Sequence, residues 1–196
     1  MAEHRFRTIR KSSTAKLTEK NSRFYGFVFP VKTSEDIENR LNEIRDLHSK
    51  ASHHCYAWRL GTTGNEFRAN DDGEPSGSAG RPILGQIDSF SVTNVLVIVV
   101  RYYGGVNLGV SGLIQAYKGA ARLALENANI HVVEVTTQHR CKIAYDKVNE
   151  FRSWLSETSA EVVSEEYLDT LATFILKFPT SRAGELTKTI EQFTIE

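Results

Sequence analysis

Asp71, Asp72 and Glu74 stand within four residues of one another on the segment DDGEPSGSAGRPIL, which also carries Ser76, Ser78 and Arg81. Carboxylates spaced so closely could ligate Mg2+ or act as acid and base. The plainer alternative is a solvated acidic turn. Ser76 and Ser78 are nucleophile candidates, but Gly77-Ser78-Ala79-Gly80 is not the GxSxG elbow that exposes a catalytic serine. His53 and His54 offer a general base near these loops. As neighbours on a strand they point to opposite faces, so they cannot share one metal. An ordinary hydrogen-bonded histidine is the competing reading. No CxxC and no His/Cys pair at metal spacing occurs, so neither a metal nor a cofactor is expected.

A second segment, NVLVIVVRYYGGVNLGVSGL from Asn94 to Leu113, follows closely. Gly104 and Gly109 have the separation of a phosphate-binding P-loop, after a strand and before a helix. Val110 occupies the position that needs lysine, and Ser111 alone does not suffice. That argues against a nucleoside triphosphatase. Generic anion binding at the helix start stays open, because unpaired N–H groups and the dipole favour negative charge there. Alternatively Gly104, Gly105 and Gly109 serve tight turning and close packing. Arg101 emerges from the apolar run beside both loops. It is either a ligand contact or the partner of Asp71, Asp72 or Glu74. The expectation is one mixed-charge surface: acids at 71, 72 and 74 facing Arg101 or Arg81, with Ser76, Ser78, Tyr103 and the three glycines around them.

The elements that must carry these residues follow from periodicity. Arg23 to Val31 and His53 to Leu60 read as strands, with a turn at 61–65 and a returning strand at 66–69. Thr33 or Ser34 caps a helix whose face is Ile37, Leu41, Ile44 and Leu47 or His48. Ser78 is the expected cap of a helix to about Ser89, with Pro82 in its first turn. Val95 to Val100 is a strand covered on both faces. Val110, Leu113, Ile114, Tyr117, Ala121, Ala124, Leu125 and Ala128 mark the clearest helix. Its small residues, Gly112, Ala116, Gly119 and Ala120, allow another backbone to come close. After about Ile130 the composition changes. Strand (Val132–Ala144), helix (146–156, capped by Asp146), strands (162–167 and 171–178, turning at Leu168-Asp169) and helix (181–193) give a βαββα order. That is the ferredoxin-like pattern short of its last strand, which Thr194–Glu196 would begin. The chain is expected to be α+β, with domains at 1–131 and 132–196.

The chain has 196 residues, 40% hydrophobic and 24% charged, with zero formal net charge. The charge is uneven: residues 1–23 carry seven Lys/Arg against Glu3 and Glu19, whereas residues 133–196 carry seven against eleven acids. A basic arm could touch phosphates. It could equally be a solvated first strand. Cys55 and Cys141 lie 86 positions apart and are expected to stay reduced, in a cytoplasmic protein. No apolar run is long enough for a membrane span, and the N-terminus has no apolar core of a secretory signal. Its Arg-rich character weakly suggests a transit peptide, but it runs straight into strand-like sequence and is read as part of the fold.

Ser52-His53-His54-Cys55-Tyr56-Ala57-Trp58-Arg59, the DDGEPSGSAGRPIL loop, and RYYGGVNLGVSGL with Ala116-Tyr117 closely resemble the YigZ/Impact family. The resemblance runs from Thr8-Ile9 and Ser22-Arg23-Phe24 to the ferredoxin-like tail. Asn70, Ser78, Asn107 and Ser111 depart from the usual pattern. Asn107 stands at an often basic position, which weakens anion binding. The resemblance implies a bacterial two-domain member. Its first domain would be like domain four of elongation factor G (βαβ, ribosomal-protein-like) and its second like that factor's ferredoxin-like last domain. Eukaryotic Impact proteins act in translational control, binding a partner that activates a stress kinase. Without their extra N-terminal domain, that partner is not carried over. The implied function is a non-catalytic, translation-linked accessory protein binding RNA, the ribosome or a protein partner. An enzyme acting on a small phosphorylated or peptide-like substrate, in a pocket between the loops, is the alternative.

Overall fold

The computed structural model describes residues 4–195 and has an α+β architecture. Its contacts fall into two compact units: Phe6–Val133, and residues 4–5 together with 134–195. The composition change near Ile130 falls inside a strand, β7 (Ile130–Glu134), so a cut at 131/132 passes through that strand. β7 pairs with β1 (Arg5–Ile9) as a two-stranded ribbon.

The first unit is built on a sheet of β2 (Ser13–Glu19), β3 (Ser22–Pro30), β4 (His53–Leu60), β5 (Glu66–Asn70) and β6 (Val95–Tyr102). Their order is β2-β3-β6-β4-β5, and every neighbouring pair is antiparallel. β3 and β4 flank β6 and therefore run parallel to each other. Helix α1 (Ser34–Leu47) joins them, giving a βαβ unit split by β6. The β2–β3 turn is Lys20-Asn21, both at positive φ as a two-residue I′ hairpin demands.

β6 explains the layering. Its side chains alternate between faces, and both faces are apolar from Val95 to Val100. Leu96, Ile98 and Val100 pack with Ile37, Leu41 and Ile44 of α1. Val95, Val97 and Val99 pack on the other face with α2 (Gly80–Ser89) and α3 (Gly109–Glu126). The same alternation sends Arg101 to the α2/α3 face, at the end of that apolar row. α1 starts as expected, with a capping box between Thr33 and Asp36. Ser78 does not cap α2: the N-cap is Ala79, and its neighbours' amides are satisfied from elsewhere. Val110 is exposed rather than part of the buried face of α3.

In the second unit the expected strand 132–144 divides at Val135 into β7 and β8 (Thr136–Ala144). A 3-10 turn, Tyr145–Lys147, precedes α4 (Val148–Ser156), and Asp146 makes no capping bond there. β9 (Glu161–Leu168) and β10 (Leu171–Pro179) form a hairpin around Asp169-Thr170, one residue later than expected. A second 3-10 turn, Thr180–Arg182, leads into α5 (Ala183–Ile190). The sheet order is β8-β10-β9, all antiparallel, and an isolated bridge joins Thr194 to Ile143 on the free side of β8. Glu196 lies outside the described residues. Phe151, Phe174, Leu176, Leu186 and Ile190 form this unit's core. Both cysteines are free and buried. Among the described residues, no helix is long and apolar enough to cross a membrane.

Candidate functional site

The acidic loop leaves β5 and folds back over β4. Asp71 turns toward the start of α2. Its carboxylate accepts hydrogen bonds from the amides of Ala79 (3.0 Å) and Gly80 (2.8 Å) on one oxygen and of Gly77 (2.8 Å) on the other. It therefore does the capping expected of Ser78, from outside the helix. Burial works against the ionised form of Asp71, but these three amides outweigh it and hold the carboxyl below its ordinary range. Ser78 is buried, and its hydroxyl donates to the carbonyl of Pro75 at 2.6 Å.

Asp72 faces β4. Its carboxylate accepts the His54 amide at 2.6 Å, and its carbonyl lies 2.8 Å from His53 Nδ1. A carbonyl only accepts, so His53 carries its proton on Nδ1. The Cys55 thiol donates to the Asp71 carbonyl at 3.0 Å. Burial pushes that thiol far above its ordinary range, leaving it protonated and a poor nucleophile. Asp72 and Gly73 both sit at positive φ, and this turn reverses the direction of the next side chain.

Glu74 consequently points inward. Its Oε1 accepts from Arg101 Nη1 at 2.6 Å and from the Tyr117 hydroxyl at 2.7 Å. His53 Nε2 stands 3.8 Å from the same oxygen. Arg101 is opposite Phe24 on β3 and opposite His53 on β4, so the sheet register assembles the cluster. The guanidinium lies over the rings of Phe24 (5.6 Å) and Tyr103 (5.5 Å). Its Nε is buried without a partner. Glu74 and Arg101 are only 8% and 6% exposed.

The expected mixed-charge surface is thus corrected in three respects. Glu74, Arg101 and Ser78 are interior: Glu74 and Arg101 neutralise each other and can be buried together, and the Ser78 hydroxyl is satisfied by the Pro75 carbonyl. Asp72 pairs with β4 rather than with an arginine. Asp71 lies in the field of Arg81, but the hydrogen bonds it accepts come from amides. Ser76, Arg81, Tyr103, Gly105 and Gly109 are exposed, and Gly104 is half-buried.

Gly104 turns out to be a packing residue. Its N–H donates to Ser22 Oγ at 3.1 Å, and a Cβ there would collide with the backbone of Asn21 and Ser22. The half-exposed Tyr103 lies at one end of the loop, with Val106 and Val110 also exposed along it. The first turn of α3 holds no acid, and no side chain caps it. Among the described residues, no group of three His, Cys, Asp or Glu side chains is placed to hold a metal ion. Tyr117 was legible only as an apolar helix position. Nothing in its spacing signalled a hydrogen bond to Glu74, 43 residues away.

The Impact N-terminal domain matches residues 20–125, which include this whole cluster, and a domain of unknown function, DUF1949, matches residues 141–194. The chain belongs to the Impact family. The IMPACT family member YigZ of Escherichia coli is 28% identical to this Impact-family chain over 177 residues, 89% of this chain and 86% of its own. An IMPACT family member of Thermus thermophilus is 34% identical over 163 residues, covering 83% and 87% of the two chains. A crystal structure of a hypothetical protein superposes with a TM-score of 0.72 at 26% identity, over 97% of this chain and 93% of that one.

Proposed function

We propose that this Impact-family chain is a non-catalytic, translation-linked accessory or regulatory protein. It binds RNA, the ribosome or a protein partner in the cytoplasm, through the exposed part of the Gly-rich surface: Ser76, Arg81, Tyr103, Gly105, Gly109 and the residues between Gly105 and Gly109. One observation carries this reading. The acids that could have performed chemistry are engaged internally, Glu74 with Arg101 and Tyr117, Asp71 with the start of α2. An enzyme using Glu74 as acid/base and Arg101 as anion anchor would first have to part this buried pair. The exposed remainder is one cation (Arg81), one aromatic ring (Tyr103), the polar Ser76 and Asn107, and the apolar Val106 and Val110, a mixture suited to contact.

The translational link rests on the likeness to two domains of elongation factor G. Two features support it. The first unit, which we take as domain one (about 1–131), holds a βαβ unit split by β6. In the second (about 132–196), the strand order with the Thr194 bridge on the free side of β8 agrees with a ferredoxin-like sheet whose fourth strand is a stub.

Ribosome co-sedimentation at low and high salt tests the proposal, comparing wild type with Arg81→Glu/Tyr103→Ala. Arg81 is exposed, but the half-exposed Tyr103 ring lies 5.5 Å from the Arg101 guanidinium, so circular dichroism and thermal melting must show that the variant is folded before it is compared. Wild type should pellet with ribosomes. The variant should do so about tenfold less well, as expected when a central aromatic and a charge contact are lost. Equal behaviour of the two would sink this surface as the binding site, and salt-independent or absent pelleting would sink the RNA and ribosome versions and leave the protein-partner version standing.

A further inference from the structure

A groove of about 670 Å3 opens in the first unit between the β1–β7 ribbon and the junction of β3 with α1. It is separate from the Gly-rich surface. Phe6, Ile9, Val31 and Val133 make its apolar wall, and Arg10, Lys32 and Arg40 bring three cations to it. Asp36 is the single carboxylate in its lining, and it is already engaged, accepting the backbone N–H groups of Lys32 (2.8 Å) and Thr33 (3.0 Å). Arg40 is engaged as well: Nη1 bonds Glu43 at 2.6 Å, and the guanidinium lies 5.2 Å from the Phe29 ring. Arg10 and Lys32 are exposed, and among the described residues neither side chain has an ion-pair partner.

His131 also lines the groove. Two unpaired cations and an apolar wall describe a ligand with a doubly charged head and an apolar or planar body. The volume lies within the ordinary range for small-molecule sites.

We propose that this groove binds a small organic phosphate of mononucleotide size. The phosphate sits between Arg10 and Lys32, and the body lies against Phe6, Ile9 and Val133. Two cations favour a phosphate dianion over a carboxylate, since each extra charge adds a charge-assisted hydrogen bond.

Calorimetric titration of the full chain with AMP, ribose 5-phosphate and inorganic phosphate tests this and shows whether a base is read. AMP should bind saturably at one site and more tightly than inorganic phosphate. Arg10→Ala/Lys32→Ala should weaken AMP at least about tenfold, the loss expected from removing charge-assisted bonds. Lys32→Gln, which keeps the backbone bond to Asp36, gives the same reading if the double variant melts early. Ribose 5-phosphate equal to AMP would assign the body contact to the sugar; a tighter AMP would assign it to the base. The proposal is overturned if AMP shows no saturable binding, if inorganic phosphate binds as tightly, or if the Arg10 and Lys32 variants bind AMP like wild type.

Discussion

Removing Glu74 or Arg101 alone would strand a charge in the interior, and such a loss costs about 3–5 kcal/mol. Glu74→Ala and Arg101→Ala should each destabilise the protein by that amount in denaturant unfolding. Glu74→Leu/Arg101→Met should cost less than either single change, because no charge is left unpaired. Single variants within about 1 kcal/mol of wild type would mean that the pair is solvated after all. The sequence offered two readings of Arg101, a ligand contact or the partner of an acid on this loop, the second from the need to neutralise charge beside a buried strand. Which acid it would meet was not legible. The choice of Glu74 over Asp71 and Asp72 depends on the positive-φ turn at Asp72-Gly73, and three neighbouring carboxylates give no hint of their separate directions.

At the scale of elements, the packing of α3 on the sheet depends on Gly26 of β3. A Cβ there would stand 2.6 Å from the Ala120 carbonyl oxygen and 3.0 Å from the Ala124 Cβ. Gly26→Ala should therefore push α3 away and destabilise by about 1–3 kcal/mol, the range for overpacked cores. An unchanged melting temperature would show that the interface yields freely. The small residues of α3 announced a close approach, and the apolar run of β6 announced a strand covered on both faces. Both signals are local and periodic. The ends of elements were less legible. Ser78 and Asp146 look like caps by residue type. Yet Asp71 reaches α2 from seven positions before Ser78, and α4 is preceded by a 3-10 turn instead.

For the whole molecule, folding is linked to protons through His48 and His54. Burial comes first in holding both below the ordinary imidazole value of 6.5; His54 adds repulsion at His48, while at His54 the field of Asp72 opposes the shift without reversing it. A histidine with a lowered folded pKa binds its proton more readily when unfolded, so stability is complete above about 6.5 and declines as pH falls through that value. The melting temperature should drop by a few degrees from about pH 7.5 to about pH 5.5, the imidazole range. His48→Gln/His54→Gln should flatten that slope. A wild-type profile that is flat, or that rises toward acid, would refute the linkage.

By itself the sequence determined what nearest-neighbour chemistry and periodicity determine: the α+β class, the main strands and helices, the change in character near Ile130, and the motifs shared with the Impact family. Tertiary structure alone decided which charged groups are surface and which are core. It joined Glu74 to Arg101 and Tyr117, assigned Asp71 to the start of α2, and set Gly104 against the β2–β3 hairpin. Those outcomes depend on sheet register and on contacts across tens of residues. A side chain's type states what bonds it can make, and only the folded backbone brings it within reach of a partner.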